Sequence, residues 1–154
     1  MEKIIINNYE EFAAYKGKVI GTSPYHKITQ EQINTFADAT LDHQWIHTDP
    51  EKAATESPFK ATIAHGYLTL SLLPYLWQET VQVNNVKMLV NYGIEDFKFG
   101  QAVKVGSEVC LECTLGDIVN LRGIAKISMK MKLQIKGDRK PAYQGTVVLL
   151  YHFE

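Results

Sequence analysis

The chain has 154 residues, with 16 Lys plus Arg against 17 Asp plus Glu and a formal net charge of −1. Hydrophobic residues make up 45% and charged residues 21%, which excludes disordered and fibrous classes. The balanced charge supplies no drive toward phosphate backbones, and two cysteines cannot build a disulfide framework.

The first ten residues carry three isoleucines and then asparagines, too short an apolar run for a signal peptide. The longest apolar stretch, residues 67–77, is broken by Thr69, Ser71 and Pro74 and falls short of the roughly 20 residues of a membrane span. No repeat or linker divides the chain. The expectation is one cytoplasmic domain over residues 1–154, partnered by neither nucleic acid nor membrane.

Thr29 predicts a helix start. Thr29 and Gln32 form a T-x-x-Q capping box, and Ile28 and Ile33 stand at the positions of a hydrophobic staple. Ile33, Phe36 and Ala37 share a face, and the helix is expected to end near Thr40. Residues 41–48 show no helical apolar face and read as a loop. Asp49-Pro50 restarts a helix, with Asp49 as N-cap and Pro50 at the first position. A third helix should begin at Gly66. Tyr67, Leu68, Leu70, Leu72, Leu73, Tyr75, Leu76 and Trp77 surround its axis, which predicts a helix buried on all sides and kinked at Pro74.

From Val86 onward the period is two. Residues 121–135 alternate Leu121, Ala125, Ile127, Met129, Met131, Leu133 and Ile135 with mostly polar neighbours, a strand with one buried face. Val103, Val105, Val109, Leu111, Cys113 and Leu115 repeat the pattern, and residues 86–99 and 141–153 add two more strands. Residues 116–120 and 136–140 read as turns between antiparallel neighbours. A buried helix with a curved antiparallel sheet gives an α+β fold in which the sheet wraps the helix.

Three constellations could carry chemistry. Cys110 and Cys113 have C-x-x-C spacing, but residues three apart on a strand point to opposite faces, so the reading is structural. His43-Gln44-Trp45-Ile46-His47 resembles a zinc hydrolase motif but has Gln where a general base is needed, so no metal is expected. The third joins Asp42 and His47, five apart in a loop, to Ala64-His65-Gly66 at the start of the buried helix. The first N–H groups of a helix are unpaired and lie at its positive end, so the Gly66 N–H could stabilise negative charge on a carbonyl oxygen. An acid/base pair beside an oxyanion donor can add water across a double bond conjugated to a carbonyl, or remove it.

Residues 36–50, FADATLDHQWIHTDP, followed by Ser57-Pro58-Phe59 and by residues 62–72, TIAHGYLTLSL, resemble the MaoC-like dehydratases, a family that includes the (R)-specific enoyl-CoA hydratases. The D-x-Q-W-I-H form and Asn91-Tyr92-Gly93 look most like the branch named after nodulation protein N. The resemblance covers about residues 17–107. It implies a hot-dog fold, a long helix wrapped by an antiparallel sheet, and a homodimer or dimer of dimers with an acyl-thioester tunnel at the subunit interface. It implies Asp42 and His47 as the catalytic dyad holding one water, and the Gly66 N–H as the donor to the thioester oxygen. Gln44, His65, Tyr67 and Tyr92 are the further substrate-binding candidates; His65 at a helix start reads equally as a packed, hydrogen-bonded residue. The implied reaction is syn addition of water to a trans-2-enoyl-CoA thioester, giving the (R)-3-hydroxyacyl product. It needs no metal or organic cofactor, because the thioester itself takes up the electrons.

The sequence departs from the family at Leu41, where Gly is usual; a positive φ there would strain the leucine. Gln44 and Trp45 replace an Asn-Pro. Two other readings remain: a hot-dog acyl-CoA thioesterase, which would need a carboxylate on or near the central helix, and a non-catalytic acyl-thioester-binding protein.

Overall fold

The computed structural model describes residues 2–154. The first elements are β1 (Ile4–Ile6), α1 (Tyr9–Ala13), β2 (Val19–Thr22) and β3 (His26–Lys27). Helix α2 (Gln30–Thr40) starts where its end signals place it: Thr29 Oγ1 accepts the Gln32 N–H at 3.1 Å, and Ile28 and Ile33 are both fully buried. Only half of the capping box closes, because the Gln32 side chain bonds the His26 ring at 3.0 Å instead. The helix ends on Leu41 in the left-handed region, at φ 65° and ψ 19°.

The segment expected to be loop contains one helical turn, α3 (Trp45–Thr48), too short to display an apolar face in sequence. Helix α4 (Pro50–Glu56) follows, with Asp49 Oδ1 accepting the Lys52 N–H at 3.0 Å.

The central helix is two pieces, α5 (Gly66–Ser71) and α6 (Leu73–Thr80), parted at Leu72 because Pro74 has no N–H to carry the ladder through. It is not covered on all sides by this chain, contrary to the sequence expectation. Leu68, Leu73, Leu76 and Trp77 are buried, but Tyr67 is 72% exposed and Tyr75 is 49% exposed.

Strand β4 (Val81–Val83) pairs in parallel with β1. The long strands are β5 (Val86–Phe99), β6 (Glu108–Leu121), β7 (Ile124–Ile135) and β8 (Tyr143–Phe153). They join β2 in an antiparallel sheet of order β2-β6-β7-β8-β5, with β3 also on β6. The inner face, carrying Leu111, Leu115, Ile127, Met129, Leu133, Tyr143 and Leu149, closes over Leu76 and Trp77 in one core. This is the hot-dog arrangement, and it leaves β5 on a free edge.

Two strand boundaries differ from the sequence reading. Val103 and Val105 precede β6, and the β6–β7 hairpin turns at Arg122 and Gly123, both with positive φ, rather than at residues 116–120. At the latter place β6 has a bulge between Leu115 and Asp117. A Cβ on Gly116 would sit 3.1 Å from the Ser128 carbonyl oxygen, so that glycine serves a close strand approach that imitates a turn signal. Cys110 and Cys113 are both free and buried. Cys113 belongs to the core, whereas the Cys110 thiol lies against the Tyr25 hydroxyl. Among the described residues, no helix is long and apolar enough to cross a membrane.

Candidate functional site

The site is built where the extended stretch before α5 meets α3. Ile63 N–H donates to Ile46 O at 3.1 Å, and Ala64 N–H to Val103 O at 2.8 Å. Gln30, at the start of α2, donates from Nε2 to His47 O at 2.7 Å and accepts the Thr62 hydroxyl on Oε1. Sequence reasoning missed Gln30: nothing in a helix-start glutamine announces a bridge to residues 17 and 32 positions away.

His47 is 7% exposed. Its Nδ1 lies 2.7 Å from Ile63 O. A carbonyl can only accept, so Nδ1 carries the proton and Nε2 keeps a free lone pair. Burial holds the His47 imidazole below its ordinary pKa; the neighbouring His65 adds to that, while the Ile63 hydrogen bond and Asp42 partly offset it. His47 is therefore a neutral base at neutral pH.

His65 is 3% exposed, and its ring stacks on His47 with centroids 3.8 Å apart and planes 24° apart. The Phe36 ring lies on it at 5.0 Å. His65 Nε2 donates to the backbone carbonyl of Asp42 at 3.0 Å and stands 3.9 Å from Asp42 Oδ2. Asp42 itself is exposed, and its Oδ1 accepts the Gln44 N–H at 3.3 Å. Asp42, His47 and His65 each bring one ligand-type atom within 4.8 Å of the others. That spacing invites comparison with a metal triad. His65 could offer only its bare Nδ1 to such an ion, because its Nε2 bears a proton committed to the Asp42 carbonyl.

Gly66 is the first residue of α5, beside His65. A Cβ on Gly66 would meet the Phe99 ring at 3.0 Å, so the glycine lets that ring pack close to its backbone. Phe99 in turn packs edge-on against Tyr67 at 6.0 Å. Gln44 takes part through its backbone, as the residue that opens α3. Tyr92 stands apart from the histidine pair, in the β5 bulge between Asn91 and Gly93, with the Lys126 ammonium 5.3 Å from its ring. It borders a cleft of about 470 Å³ between α5, α6 and β5, lined also by Leu70, Pro74, Asn91 and Ile94. His43 bonds Asp38 at 2.9 Å, away from the group.

The family described as MaoC like domain matches residues 11–136. The chain is 42% identical over 142 residues to 3-hydroxyacyl-thioester dehydratase Z of Mycobacterium tuberculosis, covering 92% of this chain and 93% of that one. It is 37% identical over 139 residues to nodulation protein N of Rhizobium meliloti, covering 89% and 86%. Among solved structures, the (R)-hydratase from A. caviae involved in PHA biosynthesis aligns with a TM-score of 0.69 at 24% identity, covering 86% of this chain and 95% of that one, a likeness of fold.

Proposed function

The chain belongs to the MaoC-like dehydratase family, and from that membership and the grouping of Asp42, His47 and His65 next to Gly66 at the start of α5 we propose that it catalyses (R)-specific hydration of trans-2-enoyl-CoA thioesters and the reverse dehydration. The observation that carries the reading is the His47 tautomer. With Nδ1–H fixed on Ile63 O, Nε2 is left bare, and His47 belongs to the same close group as Asp42.

A water held between the two loses a proton to His47 Nε2 while its oxygen bonds to C3 of the enoyl group. The C2–C3 electron pair moves toward the thioester, and the oxygen that takes up the charge is stabilised by the Gly66 N–H. C2 then takes a proton from the imidazolium on the same face, so one water has been added and the dyad is restored. Asp42 orients the water and balances the imidazolium. Elimination runs the same steps backwards. The thioester is the electron sink, and the chemistry calls on no metal or organic cofactor.

The cleft beside α5 is of a size suited to a small-molecule chain. We assign it to the acyl thioester, with Tyr92 on its wall. We further assign a homodimer formed along β5. This strand of 14 residues lies on the sheet edge and exposes Met88, Val90, Ile94 and Phe99 beside the uncovered Tyr67 and Tyr75 of the central helix. A long apolar edge strand of this kind calls for a partner.

The test is a spectrophotometric assay of the purified protein with enoyl-CoA substrates of increasing chain length and stereochemical analysis of the product. Loss of the conjugated absorbance with formation of the (R) product supports the reading. Release of free thiol would point to a thioesterase, which the geometry disfavours because Glu79 lies at the far end of α6, paired with Lys3 at 3.2 Å. Thioester binding without turnover at any chain length would make the chain a binding protein.

A further inference from the structure

His65 holds two features that the reaction above does not use. Its Nδ1 is buried and, among the described residues, has no hydrogen-bond partner. Its Nε2–H reaches across 23 positions to the Asp42 carbonyl. The segment receiving that bond has little else to hold it. Leu41, Asp42, His43 and Gln44 are all exposed, and Leu41 carries a left-handed backbone. Asp42 and His43 otherwise bond only to near neighbours: Gln44 N–H to Asp42 Oδ1, Thr48 Oγ1 to His43 O, and His43 to Asp38. Among the described residues, His65 makes the one hydrogen bond tying residues 41–43 to a distant part of the chain.

We propose that His65 is a positioning residue, whose Nε2–H anchors the Asp42 carbonyl and so fixes the carboxylate relative to His47. The assignment rests on the hydratase reading above. The imidazole suits the task for reasons of geometry. Its ring is clamped between His47 and Phe36, so its donor direction is set by packing. Donating through Nε2 leaves Nδ1 as the bare nitrogen, buried without a partner beside the stacked His47 ring. His65 therefore holds the Nε2–H tautomer. His47 holds the opposite one, with its proton on Nδ1. The stacked pair thus divides the work: one ring presents a base, the other holds the carboxylate loop.

Two measurements test this, one of them independent of turnover. Nitrogen-15 spectra of the imidazoles should show neutral His65 protonated at Nε2 and neutral His47 protonated at Nδ1; a His65 protonated at Nδ1 overturns the anchor whether or not the protein is a hydratase. The second measurement is steady-state kinetics of three variants. His65→Gln places an amide N–H near the Nε2 position, His65→Asn places it a bond short, and His65→Phe keeps the ring without a donor. His65→Asn and His65→Phe should lose about 100-fold in kcat with KM little changed, the scale of an ångström-level misplacement, and His65→Gln should recover most of that loss. Equal kcat in all three variants, or a His65→Phe enzyme as active as wild type, would overturn it. Absence of turnover in the wild-type chain would instead count against the reaction, with the tautomer still deciding the anchor.

Discussion

Leu41 is an experiment already set up by the fold. It sits at φ 65° and ψ 19°, and its side chain is 80% exposed. Left-handed backbone costs a residue with a Cβ about 1–2 kcal/mol. Replacing it with Gly removes that cost and forfeits almost no packing, but frees the unfolded chain by about 0.5–1 kcal/mol. The difference predicts that Leu41→Gly stabilises the protein by about 0.5–1 kcal/mol, a rise in Tm of about 1–4 °C for a domain of this size. Leu41→Ala is the control, because alanine keeps the Cβ and should be near neutral. Urea unfolding of the three proteins under identical conditions is the assay. If Leu41→Ala loses more than about 1 kcal/mol, the leucine side chain is packed against something and the exposure argument fails. If Leu41→Gly is destabilised, the strain argument fails.

Other expectations follow from the same geometry. Tyr143 is fully buried and its hydroxyl has no partner among the described residues, so Tyr143→Phe should be neutral or stabilising by about 1 kcal/mol in thermal unfolding. Gly145→Ala should cost about 1–3 kcal/mol, because the new Cβ would lie 2.7 Å from the Phe97 backbone, which cannot swing aside. His47 titrates below its ordinary value of 6.5, so the acid limb of kcat/KM should fall below pH 6.5. The unfolded chain then takes up the His47 proton first, so the stability this residue contributes is present above about pH 6.5 and is lost as pH falls below it. Urea midpoints at pH 7.5 and 5.5 should therefore fall less on acidification in His47→Asn than in wild type.

The elements most legible in the sequence are those fixed by local chemistry. Thr29 and Asp49 cap the helices that follow them because the side-chain oxygen and the N–H it accepts are three residues apart. The alternation of β7 was visible because one face is core and the other is water. What escaped was what depends on distant chain. Gly116 looks like a turn residue, yet the strand runs through it, because the glycine answers to Ser128 on the neighbouring strand. The central helix carries apolar residues all round, but the sequence could not say that this chain leaves Tyr67 and Tyr75 uncovered. The parallel pairing of β1 with β4 joins segments of three residues, too short for any periodicity. At the site, Asp42, His47 and Gly66 were legible through their motifs. The Ile63 carbonyl that sets the His47 tautomer and the Gln30 bridge were not, since backbone acceptors and helix-start glutamines carry no signature.

The most direct test of the account is the hydration rate of Asp42→Asn and His47→Asn beside wild type, with thermal unfolding as the check on fold. His47→Asn keeps an N–H near the Ile63 carbonyl and removes the base; Asp42→Asn keeps the shape and removes the charge. Each should lose about 10²–10⁴-fold in kcat with little change in Tm, and the double variant should be scarcely slower than either single one, because the pair acts as a unit. Near-normal turnover in folded His47→Asn would contradict the central claim.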